Sequence, residues 1–192
     1  MGFNIVLSSP SGAGKTTITK KISQKYPKIK ISISHTTRKP RPNEIDGVDY
    51  HFVSKDKFEK LIGNDSFYEY AKIFDNYYGT SKQSVNKLHA ENYDVVFDID
   101  WQGTKQLSKF KNLDLIKIFL ITEDKKELRN RLIKRNQNTN IEIEKRFNSF
   151  EEDIKHWNDY DYIVINKNLE TCFKQIENII LNKKNNCLSF LK

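Results

Sequence analysis

Residues 3–17 read Phe3-Asn4-Ile5-Val6-Leu7-Ser8-Ser9-Pro10-Ser11-Gly12-Ala13-Gly14-Lys15-Thr16-Thr17, an apolar run that gives way to small residues and then to a lysine and two threonines. Phe3 to Leu7 reads as a buried strand. Beyond the small residues, Ile18, Ile22 and Tyr26 recur at i, i+4 and i+8, the apolar stripe of a helix that ends before Pro27. A loop of small residues between strand and helix aims successive backbone N–H groups at one point, and the helix N-terminus adds partial positive charge there. That combination cradles phosphate. Residues 9–17 are therefore candidate ligands of a nucleoside triphosphate: Ser9, Pro10, Ser11, Gly12, Ala13 and Gly14 through the loop, then Lys15, Thr16 and Thr17. Lys15 is placed to reach the β and γ phosphates, and the Thr16 hydroxyl is a hard oxygen donor suited to magnesium. The full G-x4-G-K-[ST] pattern has glycine at its first position, where this chain has Ser9. A serine there strains the loop if the turn demands a left-handed backbone.

Further along, Val95-Val96-Phe97 reads as a second buried strand, followed by Asp98 and Asp100. An i, i+2 spacing on a strand puts both carboxylates on one side at its C-terminal end, the edge at which open α/β sheets bind ligands. Asp98 then holds magnesium through water; the alternative is a pair of carboxylates that cap a loop. Ile116 to Ile121 and Tyr162 to Ile165 read as two more buried strands, Ile29, Ile31 and Ile33 alternate as a strand does, and helical stretches separate these runs. Strands alternating with helices predict an α/β fold with a parallel sheet flanked by helices in three layers. Ile143, Phe147, Phe150, Ile154 and Trp157 fall on one helical face, as do Leu169, Phe173, Ile176 and Ile180. Both stripes read as core. Between these parts, residues 34–80 turn polar and proline-punctuated and then aromatic, with Tyr50-His51-Phe52-Val53, Phe67-Tyr68-Glu69-Tyr70 and Asn76-Tyr77-Tyr78-Gly79 as short strands and a helix near residues 55–62.

The 192 residues carry a net charge of +8 and 37% hydrophobic residues, with a mean hydropathy of −0.71. That length suits one domain with a small insert. The longest early apolar run, Phe3 to Leu7, is too short for the ~20 residues of a membrane span or the roughly 7 to 15 of a signal-peptide core. Cys172 and Cys187 are the only cysteines and no zinc-like spacing occurs, which predicts a cytoplasmic setting. The positive charge admits a nucleic-acid footprint, service to small anions, or lysines scattered over solvated faces.

Ser34-His35-Thr36-Thr37-Arg38-Lys39-Pro40-Arg41-Pro42-Asn43-Glu44 with Gly47-Val48-Asp49-Tyr50-His51-Phe52-Val53 resembles guanylate kinase, a nucleoside monophosphate kinase family with a P-loop core. The resemblance continues through Phe67 to Tyr70, Asn76 to Thr80, Asp98 to Gly103, Arg131 with Arg135, Lys145-Arg146 and Val164 to Asn166, in family order over nearly the whole chain. It implies transfer of the γ-phosphoryl of Mg-ATP to GMP, and to dGMP, with no nucleic acid or membrane partner. It also implies a P-loop core of residues 1–33 and 81–192, a helical lid at approximately 123–150, and a small mixed α/β insert at 34–80 that binds GMP.

Residue by residue, the resemblance implies that Arg38, Arg41, Tyr50 and Tyr78 hold the GMP phosphate. Ser34, Glu69, Thr80 and Asp100 belong to the guanosine side, with Glu69 accepting from the guanine N–H groups. Lys15, Arg38, Arg131, Arg135 and Arg146 serve the transferred phosphoryl, and Asn166 lies toward the adenine end of ATP. Against the family pattern, Asn43 and Asn136 stand where glycine is common, and asparagine is the side-chain-bearing residue that best tolerates a left-handed backbone. Two rival readings of another class are a non-catalytic interaction module on the same fold and a nucleic-acid-binding P-loop protein, of which the latter predicts strongly salt-dependent oligonucleotide binding. The C-terminal tail, with Cys187, Leu188, Phe190 and Leu191, is expected to pack on the core.

Overall fold

The computed structural model describes residues 2–123, 128, 129, 133, 144 and 147–189, with side chains described as far as residue 184. Arg131, Arg135, Asn136 and Arg146, most of the expected lid, Ile143 and the apolar side chains of the tail lie outside the described residues. In chain order the elements are β1 (Asn4–Ser8), α1 (Lys15–Lys25), β2 (Ile29–Ile31), β3 (His35–Thr36), β4 (His51–Phe52), α2 (Lys55–Gly63), β5 (Phe67–Ile73) and β6 (Asn76–Ser81). They continue with α3 (Lys82–Ala90), β7 (Asp94–Asp98), α4 (Trp101–Leu107), β8 (Leu115–Ile121), α5 (Phe150–Lys155), a 3₁₀ turn (Trp157–Asp159), β9 (Tyr162–Ile165) and α6 (Leu169–Ser189).

Five strands form one sheet in the order β2-β7-β1-β8-β9, every pairing parallel. Each residue of β1 is buried, as befits a central strand covered by helices on both faces. Successive side chains alternate between those faces. Ile5 and Leu7 join Ile18 and Ile22 of α1 and Phe173, Ile176 and Ile180 of α6 in one apolar layer. Val6, Val95 and Phe97 join Val85 of α3 and Leu107 of α4 in the other. The three-layer α/β expectation holds. No described helix is long and apolar enough to cross a membrane.

A second sheet of four strands, in the order β4-β3-β6-β5, mixes a parallel β3–β4 pair with antiparallel β3–β6 and β5–β6 pairs. Its far side is closed by α2, whose N-cap Ser54 accepts a hydrogen bond from the Lys57 N–H. Phe58 of α2 is fully buried and stacks on Phe67 and Tyr77.

Five local expectations need correction. β9 lies at the edge of the sheet with only Val164 buried, and Tyr162, Ile163 and Ile165 are exposed, so this run is not a buried strand. β2 stops at Ile31, and the buried positions that follow are Ser32, Ser34 and Thr36 rather than Ile33. β7 ends at Asp98, so Asp100 lies beyond the strand as the N-cap of α4, its Oδ1 accepting from the Gly103 N–H at 2.9 Å; the two carboxylates do not share a strand face. Helix α5 ends at Lys155, and the change of pitch in the 3₁₀ turn leaves Trp157 46% exposed instead of in the core. Leu169 is exposed at the start of α6, and Cys172 takes the buried position beside Phe173.

Candidate functional site

The turn after β1 depends on two left-handed glycines, Gly12 at φ 96° and Gly14 at φ 100°. Ser9 is not among the residues with positive φ, and its hydroxyl donates to the Pro10 carbonyl at 2.9 Å. A side chain at position 9 therefore strains nothing. Asn43 does adopt the left-handed region, at φ 69°, which asparagine tolerates. Helix α1 begins at Lys15 with no side-chain cap, so its N-terminal dipole is directed into the loop. Behind the loop, buried Asn166 donates through Nδ2 to the Ala13 carbonyl at 2.8 Å.

Lys15 leaves α1 toward the C-terminal edge of the parallel sheet, where its Nζ sits 2.8 Å from both the Ile99 carbonyl and Asp98 Oδ1. The other Asp98 oxygen lies 3.5 Å from the Thr19 hydroxyl. Among the described residues no group of three or more His, Cys, Asp or Glu side chains is arranged to hold a metal ion. Thr16 and Asp98 both border the cavity described below. Two hard oxygen donors are a fitting set for magnesium, which keeps several waters and takes further oxygens from phosphates.

Across from the loop, the β3–β4 connection and β6 present a cationic and phenolic cluster. The two terminal guanidinium nitrogens of Arg38, Nη1 and Nη2, donate to Glu44, each at 2.9 Å, and the Arg41 N–H donates to the same carboxylate at 2.7 Å. Burial disfavours charge on Arg38, but Glu44 and Tyr78 together outweigh it and raise the guanidinium above its ordinary value. Burial likewise pushes Glu44 upward, and Arg38 with the Arg41 N–H reverses this, so that its carboxyl lies below the usual range. The Arg38 guanidinium rests 5.4 Å from the centre of the Tyr50 ring, which meets Tyr78 edge-on at 6.0 Å. Burial raises the Tyr50 phenol, keeping it a neutral donor.

Glu69 enters from β5, where the register with β6 shifts between Phe67 and Glu69. It is 4% exposed. Burial pushes its carboxyl up to about 7; hydrogen bonds from Thr80 oppose the rise and the Asp100 charge adds to it. The hydroxyls of Ser34 and Thr80 lie 3.4 Å apart beside it. Asp153 of α5 faces the same space, raised to about 7 by burial and by Asp100, with Lys15 opposing.

Most of these groups border one cavity of about 370 Å³. It brings together Ser9, Pro10, Ser11, Gly12, Gly14, Lys15 and Thr16 from the loop, Glu69 and Tyr78 from the second sheet, Ser34 just before β3, Arg38, Arg41 and Tyr50 from the β3–β4 connection, Asp98 at the end of β7 and Asp100 beyond it. Ala13, Thr17, Thr80 and Asn166 do not line it. Ala13, Thr80 and Asn166 are buried behind its wall, and Thr17 is exposed on α1. Two features escaped the sequence reading. Glu44 acts as the clamp on Arg38, for which the signal was an acidic residue among prolines three positions after Arg41. Asp153 carries no local signal, because only the tertiary fold brings α5 to the loop.

The sequence profile of the guanylate kinase family matches residues 2–183. A guanylate kinase of Clostridioides difficile is 45% identical over 184 residues, covering 96% of this chain and 89% of that protein. One of Paramagnetospirillum magneticum is 42% identical over 179 residues, covering 93% and 84%. A crystal structure of guanylate kinase from Anaplasma phagocytophilum superposes with a TM-score of 0.78 at 30% identity, covering 95% of this chain and 86% of that one. The likeness thus takes in the phosphate loop, the second sheet and the cavity between them, and the chain belongs to the guanylate kinase family.

Proposed function

We propose that this enzyme transfers the γ-phosphoryl of Mg-ATP to GMP or dGMP, yielding ADP and the corresponding diphosphate. One observation carries the reading: a single cavity is bordered on one side by a phosphate loop with its lysine and on the other by paired arginines, phenols and a buried carboxylate. The first set suits the triphosphate of ATP. The second suits a purine monophosphate, since guanidinium forks and phenolic hydroxyls match phosphate oxygens.

In the proposed mechanism the acceptor is an oxygen of the GMP phosphate, already anionic near neutral pH. No strong general base is needed. The new bond forms from that oxygen to the γ-phosphorus as the bond from the β,γ-bridging oxygen breaks, and ADP leaves with the electron pair. Lys15 exchanges its contacts with Ile99 and Asp98 for phosphate oxygens, and Arg38, preset by Glu44, accompanies the transferred group. Arg131, Arg135 and Arg146 are carried over from the family pattern as the cations that complete the charge and exclude water. Thr16 and, through water, Asp98 would hold magnesium, which when bound offsets charge on the phosphates. Asn166 supports the loop from behind through Ala13.

Guanine presents an N–H and an amine, two donors that a carboxylate at 69 accepts. Adenine offers a ring acceptor at the same place, and each buried contact left unpaired costs about 1–3 kcal/mol, roughly tenfold to a hundredfold. A peptide-binding module on this fold needs neither the Lys15–Asp98 pair nor the phosphate loop. A coupled assay with Mg-ATP and each of GMP, dGMP, AMP, CMP and UMP tests the reading. Turnover is expected with GMP and dGMP at a kcat/KM at least about a hundredfold above AMP; equal use of AMP overturns it.

A further inference from the structure

We infer that Gly103 determines base specificity by leaving room for the Glu69 carboxylate. The inference rests on the reading of Glu69 as the acceptor of the guanine N–H groups. Gly103 is a buried residue inside α4. Three glycines of the chain, Gly12, Gly14 and Gly47, occupy the left-handed region that favours them; Gly103 does not. Its backbone would accept any residue. Glycine is less favourable than alanine in a helix, by up to about 1 kcal/mol in the interior and less in the first turn where Gly103 lies, so neither backbone geometry nor propensity explains its presence.

Space does explain it. A Cβ at position 103 would overlap Glu69 Oε2 and lie 3.0 Å from Glu69 Cδ and 3.3 Å from Ile99 Cβ. By contrast, a Cβ at Gly63 would meet nothing within 4 Å. The two nearest obstructing atoms belong to the end of a flexible side chain, so an alanine there displaces the carboxylate first, while Ile99 Cβ has to give by a few tenths of an ångström. The carboxylate has little freedom to resettle: Thr80 hydrogen-bonds it, Asp100 repels it and Lys15 attracts it across the cavity. Gly103 also donates its N–H to Asp100 Oδ1, a bond that alanine retains. Gly103 is thus a positioning residue acting through Glu69.

The test is a double-mutant cycle of Gly103→Ala and Glu69→Ala, with KM for GMP, KM for ATP, kcat and the melting temperature read for each variant. Gly103→Ala is expected to fold with an unchanged or higher melting temperature, to raise KM for GMP about tenfold or more, and to leave KM for ATP within about twofold. In the Glu69→Ala background the same substitution should add nothing, because the group it displaces is gone. If Gly103→Ala keeps the wild-type KM for GMP while Glu69→Ala loses it, the inference fails and the Glu69 reading stands. If Glu69→Ala itself leaves KM for GMP unchanged, both fail. A Gly103→Ala protein that does not fold, or that raises both KM values alike, overturns the inference as well, since either outcome makes the glycine structural.

Discussion

Glu69 is a side chain that the fold would hold more easily without its charge. Its carboxyl is pushed from an ordinary value near 4.5 up to about 7, chiefly by burial. The unfolded chain releases this proton near the ordinary value while the folded chain keeps it, so stability falls as pH rises from 4.5 to 7 and stays low above that. By linkage the penalty above pH 7 is about 3 kcal/mol. Glu69→Gln keeps the shape and an acceptor for Thr80 but removes the charge. It is expected to melt several degrees higher than the parent at pH 8, at roughly 2–4 °C per kcal/mol for a chain of this size, with the gain fading toward pH 4.5. Parallel thermal melts at the two pH values check this, and an absent gain at pH 8 contradicts the charged, buried state assigned to Glu69. On the proposed reading of Glu69 as the acceptor of the guanine N–H groups, stability here is set against recognition.

At the scale of elements, the short parallel pair β3–β4 sets His35 directly against His51, with ring centres 4.7 Å apart. Burial, then the His51 and Lys57 charges, lower the His35 imidazole to about 4, with Asp46 opposing. An imidazole held neutral in this way contributes stability that is whole above pH 6.5, its unfolded value, and is lost as pH falls toward 4. His35→Phe keeps the edge contact with Phe67 and is expected to flatten the fall in melting temperature between pH 6.5 and 4. A profile that parallels the parent's would remove His35 as its source. Elements with long apolar runs, such as β1, β7 and β8, are legible from the chain because burial on both faces leaves a continuous signal. Where the geometry changes within a run of favourable periodicity, the pattern misleads. Trp157 keeps the helical spacing of Phe150 and Ile154 although the helix has already ended. Asp100 keeps the strand spacing of Asp98 although it caps α4.

For the whole molecule, the site lies where the C-terminal edge of the parallel sheet meets the second sheet. Its phosphate loop is legible in the sequence because seven consecutive residues, 10–16, build it. The opposite wall is not local: pairings such as His35 with Gly79 and Glu69 with Thr80 assemble it from segments up to 44 residues apart. Arg38, Tyr50, Glu69 and Tyr78 are named by resemblance alone, the Glu44 clamp has only the weak signal of an acidic residue following Arg41 among prolines, and no pattern along the chain announces Asp153 or the space beside Gly103. The central claim, that this wall receives a guanine nucleotide facing the phosphate loop, is tested most directly by a crystal structure with GMP bound. The account predicts the purine between Ser34, Glu69 and Thr80, with its N–H groups on the Glu69 carboxylate and its phosphate among Arg38, Arg41, Tyr50 and Tyr78. A purine seated elsewhere, or turned so that Glu69 faces no donor, would contradict it.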